Sequence, residues 1–212
     1  MKTEFLRRNY NFEIRAEQKE GEDNKGKYTL YGLPIVYESR TDIGWFDEII
    51  ERGALDKADL KDVRFLVNHD LSKIPLARSR NNNANSTMRL KVTDKGLEVE
   101  IDLDADNNTD ARKLYSAISR GDISGMSFMF GIDGEEWENH ESDHPTRRIK
   151  SISTVVEVSA VTFPVYEATE IYARDKTVLD NAKVALDNAR AAVDTANEKR
   201  ELELIKIKAN LY

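Results

Sequence analysis

Apolar and polar positions alternate in short bursts from about residue 11 to 174, and polar turns separate the bursts. NFEIRAE and KYTLYGLPIVYES carry β-branched and aromatic residues in partial alternation across the polar stretch QKEGEDNKGK, and predict two strands. WFDEIIERGALDKADL predicts a short strand running into a helical turn, and VRFLVNHD a strand on which Phe65, Val67 and His69 share one face by the two-residue period. Residues 81–86, inside SRNNNANS, are too polar and turn-rich for anything but a loop. MRLKVTDKGLEVEIDL predicts a hairpin that turns at Asp94, Lys95 and Gly96. The period then changes. NNTDARKLYSAISRGD predicts a helix with Thr109 or Asp110 as N-cap, an apolar stripe of Leu114, Ala117 and Ile118, and Gly121 at its end. GDISGMSFMFGI and IKSISTVVEVSAVTFP predict two more strands, joined across the polar loop DGEEWENHESDHPTRR. The expected fold is mostly β with peripheral helices, an α+β arrangement around a barrel-like sheet.

The last part of the chain has a different texture. Residues 179–199 hold three tandem heptads, LDNAKVA, LDNARAA and VDTANEK. Leu179, Leu186 and Val193 occupy one seam position and Ala182, Ala189 and Ala196 the other, with Asp180–Lys183 and Asp187–Arg190 spaced to pair on the flank. Alanine buries little area, so such a helix is marginal alone and is expected to pack on another helix. The chain is thus expected to divide into a domain over 1–174 and a C-terminal coiled-coil-like helix over 175–212. Helix–helix assembly or a homodimer through residues 179–199 would follow from that.

Bulk composition narrows the function classes. Charged residues make up 33% of the 212, mean hydropathy is -0.62, and no apolar run approaches the roughly 18 residues of a membrane span. The opening MKTEFLRRNYNFEI has no continuous apolar core, so neither a signal peptide nor a membrane partner is expected. There are no cysteines, which removes disulfides, thiolate metal sites and a cysteine nucleophile. A formal net charge of -7 argues against nucleic acid as the main partner.

Candidate chemistry is confined to few residues. His140 and His144 are four apart in a polar loop, a spacing that suits zinc only on a helix, and Pro145 argues against one. No metal or cofactor is expected. His69 lies at the end of an apolar strand, where a histidine is either structural or a base for a nearby hydroxyl. Ser127 sits within GMSFMFG, with Phe128, Phe130 and Ile132 on one face and Ser127 and Met129 on the other. Its hydroxyl either bonds a neighbouring carbonyl or acts as a nucleophile, which at neutral pH requires a base to take its proton. Along TVVEVSAVTF, alternation groups Val155, Glu157, Ser159, Val161 and Phe163, and Glu157 is the sole charge. An unpaired buried carboxylate would cost several kcal/mol, so Glu157 requires a partner, either a histidine or an arginine such as Arg147 or Arg148.

The chain resembles the prohead maturation proteases of tailed bacteriophages, distant kin of the herpesvirus assemblins. The resemblance rests on YGLPIVYESRTDIGWFDEIIERGAL, RFLVNHDLSKIPLAR, the hairpin ending in GLEVEIDL, LYSAISRGDISGMSFMFGI and VEVSAVTFPVYEAT, in that order over about residues 12–170. It implies a herpesvirus-protease-like β-barrel and a serine endopeptidase. Such an enzyme would cut scaffold segments and major capsid protein precursor extensions, with its own chain a further candidate substrate, inside the viral procapsid in the bacterial host cytoplasm. It implies His69 of NHD as general base and Ser127 of SGMSF as nucleophile, with Glu157 of EVSAVTFP as third member and His144 as the alternative. The herpesvirus enzymes use an arginine pair downstream of their second histidine to stabilise the oxyanion. Arg147 and Arg148 precede Glu157, so that role is not carried over, and a backbone N–H is expected instead. The alternative function is a catalytically inactive scaffolding protein acting through its coiled-coil tail.

Overall fold

A computed structural model describes residues 5–10, 14–20, 26–162 and 176–209. The expectation for Phe163 lies outside those residues. In chain order the elements are β1 (Phe5–Tyr10), β2 (Ile14–Glu20), β3 (Gly26–Val36), β4 (Arg40–Asp42), β5 (Asp47–Ile50), β6 (Arg64–Val67), β7 (Ala77–Arg78), β8 (Met88–Val92), β9 (Gly96–Leu103), α1 (Thr109–Ser119), β10 (Gly125–Glu138), β11 (Thr146–Val161) and α2 (Lys176–Ala209). The described chain is mostly β with two helices, as the alternation implied.

The strands do not close into the expected barrel among the described residues. They form two sheets, one ordered β1-β10-β11-β5-β4 with β6 and β7 attached through β11, the other ordered β2-β3-β9-β8. The inner faces share one core. Leu30, Ile35, Val99 and Ile101 of the second sheet meet Met126, Phe128, Phe130, Val158 and Ala160 of the first, and Leu114 and Ile118 of α1 close one side. Each fully buried large apolar side chain contributes about 1.5–3 kcal/mol, so this contact is the main stabilising term of the fold. The predicted hairpin is β8–β9, with Val92 opposite Leu97. Its Gly96 has φ +142, and a Cβ there would lie 1.9 Å from the Ile35 carbonyl oxygen, so both backbone angle and space demand glycine.

Several local expectations shift. Asn108, rather than Thr109 or Asp110, caps α1, its side-chain oxygen accepting from the N–H groups of Asp110 and Ala111 at 3.0 and 3.2 Å. The buried stripe of α1 is Ala111, Leu114 and Ile118. The segment after β5 makes turns and no helix. β1, absent from the alternation reading, pairs antiparallel with β10, Asn9 opposite Ser127.

β11 organises the first sheet. It pairs antiparallel with β10 along its length, parallel with β5 near its start and parallel with β6 near its end. Long buried β-branched runs suit such a central strand. At the far end of the hairpin, α2 docks through its first turns. Ala182 and Leu186 are buried against Ile43, Phe46 and Trp137, with Trp45, Ala185 and Ala189 packed around them. Trp45 and Trp137 stack at 5.8 Å, and Arg190 Nε donates to the His140 carbonyl at 2.7 Å. The alanine-rich seam therefore meets its own β domain at Ala182 and Leu186, where the heptads predicted another helix. Val193, Leu202 and Leu204 farther along are exposed. The Leu179 side chain lies outside the described residues.

Candidate active site

Three neighbouring strands bring His69, Ser127 and Glu157 together. Ser127 of β10 stands opposite Ser159 of β11, and Glu157 stands opposite Met129. On the other flank, Leu66 of β6 pairs with Ser159 and Val67 with Ala160. The face assignments for β10 hold: Phe128 and Phe130 belong to the core shared by both sheets, with Met126, and Ile132 packs partly buried against it, whereas Ser127 and Met129 do not belong to it. On β11 they hold only in part. A bulge beside Met129 and Phe130 makes their partners Glu157 and Val155, which turns Val155 into the core while Glu157 and Ser159 face the other way.

His69 reaches this face by a route that alternation did not foresee. β6 ends at Val67, and Asn68 and His69 both adopt left-handed backbone, with φ +52 and +56. Non-glycine residues hold such angles only when their surroundings compensate, with asparagine among the more tolerant. Here the Asn68 N–H donates to the Ala160 carbonyl at 2.9 Å, and its side-chain oxygen accepts the Thr162 N–H at 2.9 Å. Its Nδ2 donates to Thr162 Oγ1 at 3.0 Å. The two-residue turn carries the imidazole over β11 towards Ser127, where a continuing strand would have run past it.

The imidazole lies between the other two groups. Its Nε2 is 2.5 Å from Ser127 Oγ, and its Nδ1 contacts Glu157 Oε1. An ionised carboxylate only accepts hydrogen bonds, so Nδ1 carries the proton and donates to Glu157. Nε2 is left as the acceptor for the Ser127 O–H, the arrangement a general base requires. Glu157 and Ser127 are wholly buried, and the His69 side chain is 9% exposed. Burial removes competing water from this chain of hydrogen bonds, which strengthens it electrostatically.

Ser159, which the sequence pattern places beside Glu157 without assigning it a role, completes the group. It is also wholly buried, donates from Oγ to Glu157 Oε2 at 2.6 Å, and accepts the His69 backbone N–H at 3.2 Å. The available signal was its position two residues after Glu157 on the same strand.

The remaining candidates lie elsewhere. His144, the alternative third member, is in the loop joining β10 and β11, with Nε2 3.2 Å from Asp47 Oδ1. Ser127 is near the open end of that hairpin, so on the order of 30 Å of extended strand separates the two. His140 and His144 do not share a helix. His140 lies 3.7 Å from Glu141, whereas ligand atoms of His144, Asp42 and Asp47 fall within 4.8 Å of one another. Arg147 and Arg148 are not partners of Glu157. Arg147 is held between Glu135 and Glu48 and lies over the Trp137 ring, and Arg148 pairs with Glu138 and Glu38.

Comparison with known proteins adds independent findings. The family model described as Caudovirus prohead serine protease matches residues 11–183. Among curated proteins no sequence matches. A solved structure titled as the bacteriophage T4 capsid assembly protease, gp21, is similar at a TM-score of 0.45 with 13% identity, over 77% of this chain and 100% of that one.

Proposed function

This chain belongs to the caudovirus prohead serine protease family, and from that premise we propose that it is a serine endopeptidase of viral head maturation, with Ser127 as nucleophile, His69 as general base and Glu157 as the group that orients the imidazole. The single observation that carries the assignment is the continuous chain from Glu157 through His69 to the Ser127 hydroxyl. In the first step Ser127 Oγ forms a bond to the scissile carbonyl carbon while its proton moves to His69 Nε2. The resulting imidazolium gives that proton to the leaving amine as the C–N bond breaks. Glu157 keeps the ring in the required tautomer and stabilises its charge. Water then attacks the acyl-enzyme with His69 again as base, releasing the acid and restoring the hydroxyl.

The substrates are scaffold segments and the extension of the major capsid protein precursor, cut inside the procapsid within the bacterial host, and the chain itself is a further substrate. Ser127 is wholly buried and β1 lies along its strand. The protease domain is residues 1–174, and the C-terminal segment 175–212 joins it to scaffold helices through the exposed side chains of α2 beyond its docked turns. None of the described helices is long and apolar enough to cross a membrane.

The test is co-expression of the full chain, or its Ser127→Ala variant, with a capsid precursor, read as product sizes on a gel. Processing by wild type and none by the variant is the expected result, and equal processing by both would overturn the nucleophile assignment. A non-catalytic scaffold would form no stoichiometric Ser127 adduct with a serine-directed phosphonate.

A further inference from the structure

We propose that Ser159 is a positioning residue for the hydrolytic reaction, fixing Glu157 and the backbone of His69 with one hydroxyl. The inference rests on the acyl-transfer reading above and extends it to a fourth side chain. The hydrogen-bond directions are not free. The His69 backbone N–H can only donate, so at 3.2 Å it occupies a lone pair of Ser159 Oγ. The hydroxyl proton is then left for Glu157 Oε2, 2.6 Å away. Glu157 Oε1 is meanwhile directed to His69 Nδ1. One hydroxyl thereby sets both the rotation of the carboxylate and the height of the left-handed turn that delivers the imidazole. The side chain of Asn68, clamped on Thr162, fixes the other side of that turn.

Placement on β11 makes this a rigid support. Ser159 lies between Ser127 on β10 and Leu66 on β6 in the sheet register, so it cannot shift without moving both flanking strands. Among the charged groups near the turn, Asp70 is directed away, accepting from the N–H and the Oγ of Ser72. Loss of the Ser159 hydroxyl removes a donor from a buried carboxylate and the acceptor of a backbone N–H. The carboxylate becomes more basic and its hold on the imidazolium strengthens, while the geometry of transfer to Ser127 loosens.

The experiment is steady-state hydrolysis of a capsid-precursor peptide by the full chain, with pH profiles of kcat/KM for wild type, Ser159→Ala, Ser159→Thr and Ser127→Ala. Ser159→Ala should lower kcat about 10- to 100-fold with KM within about twofold, and move the acidic limb of the profile to higher pH. Ser159→Thr, which keeps the hydroxyl, should recover most of the activity and return the limb to its wild-type place. Should Ser159→Ala fail to fold, Ser159→Thr against its near-isostere Ser159→Val makes the same comparison. An unmoved acidic limb in Ser159→Ala, whatever its kcat, overturns the positioning role. Activity of Ser127→Ala equal to wild type would instead overturn the catalytic reading itself, so the two failures are distinguishable.

Discussion

Two histidine–carboxylate pairs stand at opposite ends of the β10–β11 hairpin, and the contrast between them shows what turns such a pair into a candidate catalyst. At the open end, His69 meets Glu157 with side chains 9% and 0% exposed. At the turn, His144 meets Asp47 with side chains 43% and 12% exposed. The residue types are nearly the same, but their surroundings differ. Two unit charges 4 Å apart interact by about 1 kcal/mol in water and about 4 kcal/mol at an effective dielectric of 20. The outer pair is also shared, since Arg40 Nη1 donates to Asp47 Oδ2 at 2.7 Å. Only at the inner pair does a serine hydroxyl complete the chain on the far side of the imidazole. Burial and a third group set it apart.

The comparison breaks most sharply under substitution at the inner pair. His69→Ala should lower peptide hydrolysis by about four orders of magnitude, and Glu157→Gln by about three to four, with the Gln variant still folded by circular dichroism. A loss below tenfold in either would place the two pairs on the same footing. Next in size is the outer pair's effect on stability. Asp47→Asn removes the partner of both Arg40 and His144, and should lower unfolding free energy by about 1 kcal/mol in urea titration with kcat/KM unchanged. His144→Ala, which removes a largely exposed side chain, should leave kcat/KM within about twofold of wild type; a hundredfold loss would restore His144 as a catalytic candidate. The smallest effect concerns the footing of β6. Hydrogen bonding from the Arg78 guanidinium holds the Asp62 carboxyl below its ordinary range. A group lowered in this way contributes its stability above the pKa it has in the unfolded chain, and loses it as pH falls through the folded value. Asp62→Asn should therefore lower the melting temperature slightly at pH 7, and by less as the pH falls below the ordinary carboxylate range.

Legibility of the site varied residue by residue. Ser127 was readable because two-residue alternation on β10 separates it from Met126, Phe128 and Phe130, and the core keeps that separation. Glu157 was readable as a buried charge that needed a partner, though not which one. His69 was singled out for the wrong geometric reason. The strand stops at Val67, and two left-handed residues, which no periodicity encodes, aim the ring. Val155 was misplaced because a bulge depends on the partner strand as well as on its own residues. The heptads after residue 179 put Ala182 and Leu186 on an apolar seam, and both are buried while Val193 of the same seam is exposed; what covers the buried pair was not legible, because Trp45 and Trp137 offer an apolar surface that only tertiary contact assembles.

By itself the sequence determined the class of elements, the hairpin turn at Gly96 and the short roster of groups able to do chemistry. These follow from local backbone preference and from which side chains tolerate burial. The division of the strands into two sheets, and the convergence of three residues far apart in the chain, were decided only by tertiary structure. The reason is physical: β11 takes different neighbours on its two edges, and the register of each pairing is set by packing across the sheet rather than by any stretch of chain alone.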